Sequence, residues 1–295
     1  MAAERAPSAT GAARVLVTGA TGTLGRHVVA ALEARRAVGV RVLSRREPPP
    51  DTPAHRAWAT ADLTTDPLEA AVEGVDAVIH LASTKGAGDG DVIGIRRLVD
   101  AAERASVRHL VVISIIGCDR IPLPFYATKL QIEAVTRAAR VPWSIVRVAQ
   151  FHSFVDRLVA TPASLPLPSP IIADLRFQPV DEREVAERLV EVALGQPRGD
   201  APEMAGPEVL TLVEIAAVWL AESGRAASLV PVPLEAVLGA SSAAPPASVA
   251  AILEGYRAAE NTPHGDRTLG RVRFADWLRQ RRDAGQARGH TSGRS

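Results

Sequence analysis

The chain has a single cysteine, Cys118, among 295 residues. That scarcity excludes an intramolecular disulfide and any metal centre needing two thiolates, and it suits a reducing cytoplasm. A small buried apolar role fits such a lone thiol. Charge of one sign is also lacking: 34 basic and 33 acidic residues leave a formal net charge of +1. No whole-protein field therefore draws nucleic acid or an anionic membrane. The N-terminal MAAERAPSATGAAR has no apolar core of the secretory type, and no apolar run approaches the roughly 20 residues that span a bilayer. The expectation is a cytoplasmic chain whose partners are small molecules or other proteins. Residues 1–12 and 284–295, rich in Gly, Ala, Ser and Arg, hold too little apolar surface to order themselves and are expected to be loose.

What is present is apolar surface, 47% of the residues, distributed with a clear alternation. The short β-branched runs RVLVTG, VRVLSR, DAVIHLA, HLVVISIIG and WSIVRV are separated by longer amphipathic patterns such as GRHVVAALEARR. Continuous apolar strands between amphipathic helices describe an α/β domain with a doubly wound parallel sheet covered on both faces. We place this domain at 13–154. A smaller C-terminal, substrate-side region is expected over 155–283. It begins with TPASLPLPSP (161–170), whose prolines suit neither a helix interior nor a central strand and read as a loop or lid. Asp181 followed by Glu184 has capping-box spacing and predicts a helix running to Gly195. Its apolar positions between Val185 and Leu194 suit either a homodimer contact or burial within the chain.

The most informative stretch is VLVTGATGTLGRHVVAAL. Glycines at 19, 22 and 25 let the chain turn sharply and bring backbone close to a pyrophosphate, whose charge is met by N–H groups and the positive end of a helix. The expected contacts are Gly19, Thr21, Gly22, Thr23, Leu24 and Gly25. About 20 residues further on, an NAD site places an acidic residue and an NADP site an arginine. Here the second strand ends in Ser44, Arg45 and Arg46, and a guanidinium fork suits a 2′-phosphate by charge and shape. NADPH/NADP is the cofactor this predicts, although Glu47 would present a carboxylate if the turn shifted.

Taken together, GATGTLG at the first turn, SRR after strand two, Ala61–Asp62–Leu63, VIHLAS ending strand four, VISIIG ending strand five and a lysine on the next helix form one pattern. It resembles the atypical short-chain dehydrogenases/reductases of the NmrA-like NAD(P)-binding family, which includes isoflavone reductases, quinone oxidoreductases and triphenylmethane reductases. The similarity covers about residues 14–280 and is more specific in the first half. It implies a Rossmann fold in which Asp62 and Leu63 border the adenine. Leu81, Ala82 and Ser83 would follow the ribose and phosphates, and Lys129 would hydrogen-bond the nicotinamide ribose. Ser114, at the carboxyl end of a buried strand, resembles the serine that polarises a substrate carbonyl. His80 stands where such folds usually use a structural residue.

The chain departs from that pattern in PFYATKLQIE. The family's tyrosine lies four residues before the lysine, and Phe125 stands there. Tyr126 is one place late, about 100° and 1.5 Å away on a helix, so its hydroxyl cannot occupy the same spot. Tyr126 remains a candidate acid only with a rotated helix. A substitute is expected in VRVAQFHSF: His152 as a donor near neutral pH, Gln150 on the acceptor or carboxamide, and Phe151 shaping the pocket. Two readings follow. One is an NADPH-dependent reductase of a small conjugated or quinoid substrate, which needs less acid assistance than a ketone. The other is a non-catalytic NAD(P)-binding redox sensor resembling NmrA. Epimerase or dehydratase chemistry is disfavoured because it relies on tyrosine where Phe125 stands.

Overall fold

The computed structural model describes residues 13–291 apart from 36, 85–88, 166, 226 and 240–245, with the backbone alone described over 285–291. The expected loose segment 1–12 lies outside the described residues. In chain order the elements begin with β1 (Ala13–Thr18), α1 (Thr23–Glu33), β2 (Val38–Ser44), β3 (Ala57–Thr60), α2 (Glu69–Val72), β4 (Ala77–His80), α3 (Gly90–Arg104) and β5 (His109–Ile115). There follow α4 (Pro124–Arg137), β6 (Trp143–Val148), α5 (His152–Ala163), β7 (Ser169–Ile172), β8 (Arg176–Phe177), α6 (Glu182–Leu194), β9 (Gly199–Asp200) and β10 (Glu203–Ala205). The last elements are β11 (Leu210–Thr211), α7 (Leu212–Ser223), β12 (Leu229–Val232), α8 (Leu234–Gly239), α9 (Ala247–Arg257), β13 (Arg267–Leu269) and α10 (Phe274–Thr291). Among the described residues no helix is long and apolar enough to cross a membrane.

These elements form two compact units that are not sequential halves. The first takes in the chain to Ser114, Thr128–Val146 and Val185–Ala201; the second takes in Ile115–Ala127, Arg147–Glu184 and the chain from Pro202. A single boundary at 154 therefore does not describe the division: α6 and β9 come from beyond that point and belong almost wholly to the first unit.

In the first unit the strand order is β3-β2-β1-β4-β5-β6, the order of a dinucleotide-binding sheet, with β9 along β6. The ladders are parallel, and Val15, Leu16 and Val17 of β1 and Val78 and Ile79 of β4 have no exposed surface. Burial on both faces is why these strands read as continuous apolar runs. Leu16, Val78, Ile95, Leu98, Leu110 and Ile132 join strands to helices in one core. β3, at the sheet edge with Ala57 and Thr60 exposed and Trp58 and Ala59 half-buried, carries no such run and was not legible.

The second unit has its own core, in which Val155 and Val159 of α5, Ile215 and Trp219 of α7 and Phe274 and Leu278 of α10 pack together. β7 pairs with β12 and β10 with β13, all parallel, while β8 and β11 are antiparallel. The expected proline-rich loop 161–170 is taken up at its two ends by α5 and β7. Pro162 sits in the last turn of α5, where it forfeits only a terminal helical bond, and Pro170 lies in a two-stranded ribbon, whose outer edge needs no N–H. α10 likewise continues to Thr291, into the segment expected to be loose, while 292–295 lie outside the described residues.

Candidate functional site

The parallel strands of the first unit end along one carboxyl edge, where Thr18 of β1 is in register with His80 of β4 and with Leu43 of β2. Strand order reverses direction between β1 and β4, the position at which open α/β sheets bind ligands. The glycine loop occupies that point. Gly19 has φ +67°, and a Cβ there would lie 2.7 Å from the Ala82 nitrogen and the Leu81 carbonyl carbon. A Cβ on Gly25 would lie 2.1 Å from the Gly19 carbonyl oxygen. Only glycine admits this crossing of helix over loop. Gly22 caps α1 without a side chain, and its own N–H donates to the Gly19 carbonyl at 3.0 Å. The first-turn amides of Thr23, Leu24 and Gly25 have no carbonyl within the helix to accept from them, so together with Thr21 they line a cradle for an anion. The residues present thus fit a dinucleotide pyrophosphate.

The end of β4 is fixed from the same side. The Thr18 hydroxyl accepts from the amides of Leu81 (3.2 Å) and Ala82 (3.3 Å) and lies 2.9 Å from His80 Nδ1. With its lone pairs taken, Thr18 donates to Nδ1, which leaves the ring proton on Nε2. Burial and then the positive charge of Lys129 lower the His80 pKa to about 3, so the ring is neutral. Its role is to lock the segment Leu81–Ala82 beside the glycine loop. Ser83 is tied in turn: its hydroxyl donates to Asp91 at 2.8 Å, and the same carboxylate accepts from the Thr84 amide. Thr18 and Asp91 were not singled out in the sequence. Thr18 lies inside the VTG motif, whereas Asp91 carried no signal.

At the end of β2, Ser44 Oγ accepts from the Arg46 amide, and the Arg46 carbonyl accepts from Trp58 Nε1 at 2.9 Å, so the turn is pinned while both guanidinium groups stay exposed. Arg45 reaches Asp62 at 3.9 Å with its side chain 74% exposed. Asp62 accepts from the hydroxyl and amide of Thr64, which together with Arg45 hold its carboxyl below the usual range. Arg97 donates to the carbonyls of Leu63 and Asp66, completing the turn. Lys129 and Ser114 are both buried in this unit.

In the second unit, Tyr126 is buried and its hydroxyl is committed to other side chains. Gln150 Nε2 donates to it at 3.0 Å, and Tyr256 Oη lies 2.9 Å away. Burial, reinforced by Tyr256, pushes the Tyr126 phenol far upward. Gln150 Oε1 accepts from Asn261 Nδ2, so both ends of the Gln150 amide are engaged within this unit. Tyr256 and Asn261 lie in the C-terminal region, where periodicity gave no guide, and sequence reasoning missed them.

His152 requires a correction. It starts α5 with no exposed surface, its ring 5.6 Å from Phe274 and 5.9 Å from Trp277, and Nε2 donates to the Val272 carbonyl at 3.0 Å. Burial lowers its pKa. A neutral ring whose single proton is spent on a carbonyl packs the core rather than donating to a substrate. The sequence could not show this, because Phe274 and Trp277 lie over 120 residues away.

Comparison with known proteins agrees with this geometry. Residues 19–159 match a family described as NAD(P)H-binding. Over 210 residues the chain is 31% identical to the (4-alkanoyl-5-oxo-2,5-dihydrofuran-3-yl)methyl phosphate reductase of Streptomyces griseus, covering 68% of this chain and 70% of that protein. Its fold is similar to a nucleoside-diphosphate-sugar epimerase from Staphylococcus aureus (TM-score 0.73, 16% identity) and to an NADPH-dependent quinone oxidoreductase from Escherichia coli (TM-score 0.70, 19% identity). Each pairing covers 90% of this chain and 99% of the other. The glycine cradle, the sheet order and these relatives lead to one conclusion: the chain belongs to the NAD(P)H-binding family of reductase-type, Rossmann-fold proteins.

Proposed function

We propose that this protein is an NADPH-dependent reductase of a small ring compound whose alkene is conjugated to a carbonyl, either a butenolide or a quinone. The observation that carries the reading is the similarity to the Streptomyces griseus reductase, whose named substrate has a ring alkene flanked by a ring carbonyl and an alkanoyl group. Such an acceptor is electron-poor and reducible without the strong acid that a ketone needs.

Bound NADPH would supply the hydride. The work of the chain is to bind and orient. Gly19, Gly22 and Gly25 with the first turn of α1 take the pyrophosphate, and Arg45 and Arg46 take the 2′-phosphate. Asp62 and Leu63 border the adenine, Leu81, Ala82 and Ser83 follow the ribose, and Lys129 holds the nicotinamide ribose. Ser114 at the end of β5 is assigned to the acceptor. The test is NADPH oxidation at 340 nm with menadione and with a 3-alkanoyl butenolide as acceptors. Turnover of either supports the reading. Lack of turnover, together with tighter binding of NADP⁺ than NADPH, would move the assignment to a redox sensor, for which Phe125 in place of the family tyrosine is the favouring feature.

A further inference from the structure

Within the first unit, Arg26 stands in the first turn of α1, and its amide closes that turn by donating to the Gly22 carbonyl at 3.2 Å. Its guanidinium folds back over the glycine loop, where Nη1 donates to the Thr21 carbonyl at 3.4 Å, a long bond for such a donor. The side chain is exposed, and among the described residues no other partner holds it. Where it stands follows from the helix. β1 and β2 are parallel, so α1 runs back between them and begins at the carboxyl edge of the sheet. Arg26 and Glu33 are seven residues apart, which puts them within about 20° of one another around the helix axis. Glu33 accepts from Nε (2.7 Å) and Nη2 (2.8 Å) of Arg56, the residue immediately before β3. Because β3 lies beyond β2 in the sheet, the face of α1 that carries Arg26 and Glu33 looks across β2 toward β3. The turn after β2 leans the same way, since Trp58 of β3 holds the Arg46 carbonyl. Arg26 therefore stands at the carboxyl edge on the side where Arg45 and Arg46 leave β2.

We propose that Arg26 is a third guanidinium on the 2′-phosphate of NADPH, closing from the helix side the subsite that Arg45 and Arg46 form from the β2 turn, and that it is a determinant of the preference for NADPH over NADH. This rests on the NADPH reading above. The pyrophosphate is met by the loop amides and the positive end of α1 and makes no demand on a side chain here. A phosphate monoester does: near neutral pH it carries close to two negative charges on three acceptor oxygens, and a planar guanidinium fork meets two of them at once. The Thr21 carbonyl engages one of the five N–H groups of Arg26, so the rest of the fork is open to such a ligand. With NADH the same place holds a neutral ribose hydroxyl, from which Arg26 gains little.

The experiment titrates wild type, Arg26→Gln and Arg26→Lys with NADPH and NADH by fluorescence, and with 2′,5′-ADP and 5′-AMP by competition. Arg26→Gln is expected to weaken NADPH and 2′,5′-ADP about 10-fold, the scale of one charge-assisted hydrogen bond, and to leave NADH and 5′-AMP nearly unchanged. Arg26→Lys, which keeps the charge and loses the fork, should recover part of the loss. A second readout is independent of affinity. In ³¹P spectra of bound NADP⁺, the 2′-phosphate should titrate at a higher pH in Arg26→Gln than in wild type, while the two pyrophosphate resonances stay in place. Equal losses for NADPH and NADH, or a moved pyrophosphate resonance with an unmoved 2′-phosphate, would overturn the assignment and put Arg26 on the pyrophosphate. Discrimination that is intact in wild type and unaltered in Arg26→Gln would overturn the role of Arg26 alone. Wild type that binds NADPH no better than NADH would remove the NADPH reading and this role with it.

Discussion

Arg45 keeps its guanidinium almost free. Among the described residues its one ion pair, to Asp62, is long at 3.9 Å, and the side chain is 74% exposed, a combination worth little in water. A 2′-phosphate brought beside it would meet little competition from Asp62. Charge-assisted hydrogen bonds contribute about 1.5–3 kcal/mol, so Arg45→Ala should weaken NADPH by roughly 10- to 100-fold and leave NADH nearly unchanged. Parallel fluorescence titrations check this, and equal losses for the two nucleotides would discard the 2′-phosphate assignment. His80 gives a second consequence at this scale. Its folded pKa, about 3, lies below the 6.5 of an unfolded histidine, so the unfolded chain takes up the proton first. The stability this contributes is complete above about pH 6.5 and is lost as pH falls from there toward 3. Burial lowers His109 and His152 in the same direction. Denaturant unfolding at pH 7 and pH 5 should show the loss, and His80→Gln should flatten the slope whatever its absolute stability.

At the level of elements, α5, α7 and α10 meet on one carboxylate. Asp156 of α5 is buried, accepts from Trp219 Nε1 of α7 at 2.9 Å and pairs with Arg281 of α10. Asp156→Ala leaves the buried indole N–H unsatisfied and should cost about 2–3 kcal/mol, whereas Asp156→Asn, which keeps an acceptor, should cost less; chemical denaturation separates the two. None of this was readable from sequence, because the three residues are brought together by packing over more than 60 positions. The glycine loop was readable because its demands are local: a strand, a turn only glycine can make, and a helix follow within twelve residues. The α6 start was half legible. Asp181 does cap it, accepting from the Arg183 amide at 2.7 Å. Glu184, however, does not close the box; its carboxylate holds the Arg271 and Val272 amides instead. Spacing shows which groups can cap, not which tertiary partner outbids them. Phe125 and Tyr126 make the same point, since the sequence showed the tyrosine out of place but not the partner, Tyr256, that its hydroxyl finds.

For the whole molecule, the way the chain passes between its two units limits what can be cut away. Val185, Leu189, Val190 and Val192 have no exposed surface, and the segment Val185–Ala201 belongs to the first unit although every other strand of that unit is complete by Val148. Three further ties bind it there: Arg35 to Glu187 at 2.8 Å, the Arg198 amide to Ser144 Oγ at 2.9 Å, and the His109 ring to the backbone at Ala193 and Gly195. Each fully buried Val or Leu contributes about 1.5–3 kcal/mol, so losing four of them approaches the roughly 5–15 kcal/mol that holds a domain folded. A fragment comprising residues 13–154, the span that looks self-sufficient by sequence, should therefore fail to fold cooperatively even though it holds every cradle residue for the dinucleotide. Far-UV circular dichroism, dye binding to exposed apolar surface and NADPH titration of that fragment test the point. A compact fragment that unfolds cooperatively and binds NADPH would show that α6 is dispensable to the first unit, while an expanded, dye-binding one would show that the nucleotide site depends on a helix that begins roughly thirty residues after the end of β6.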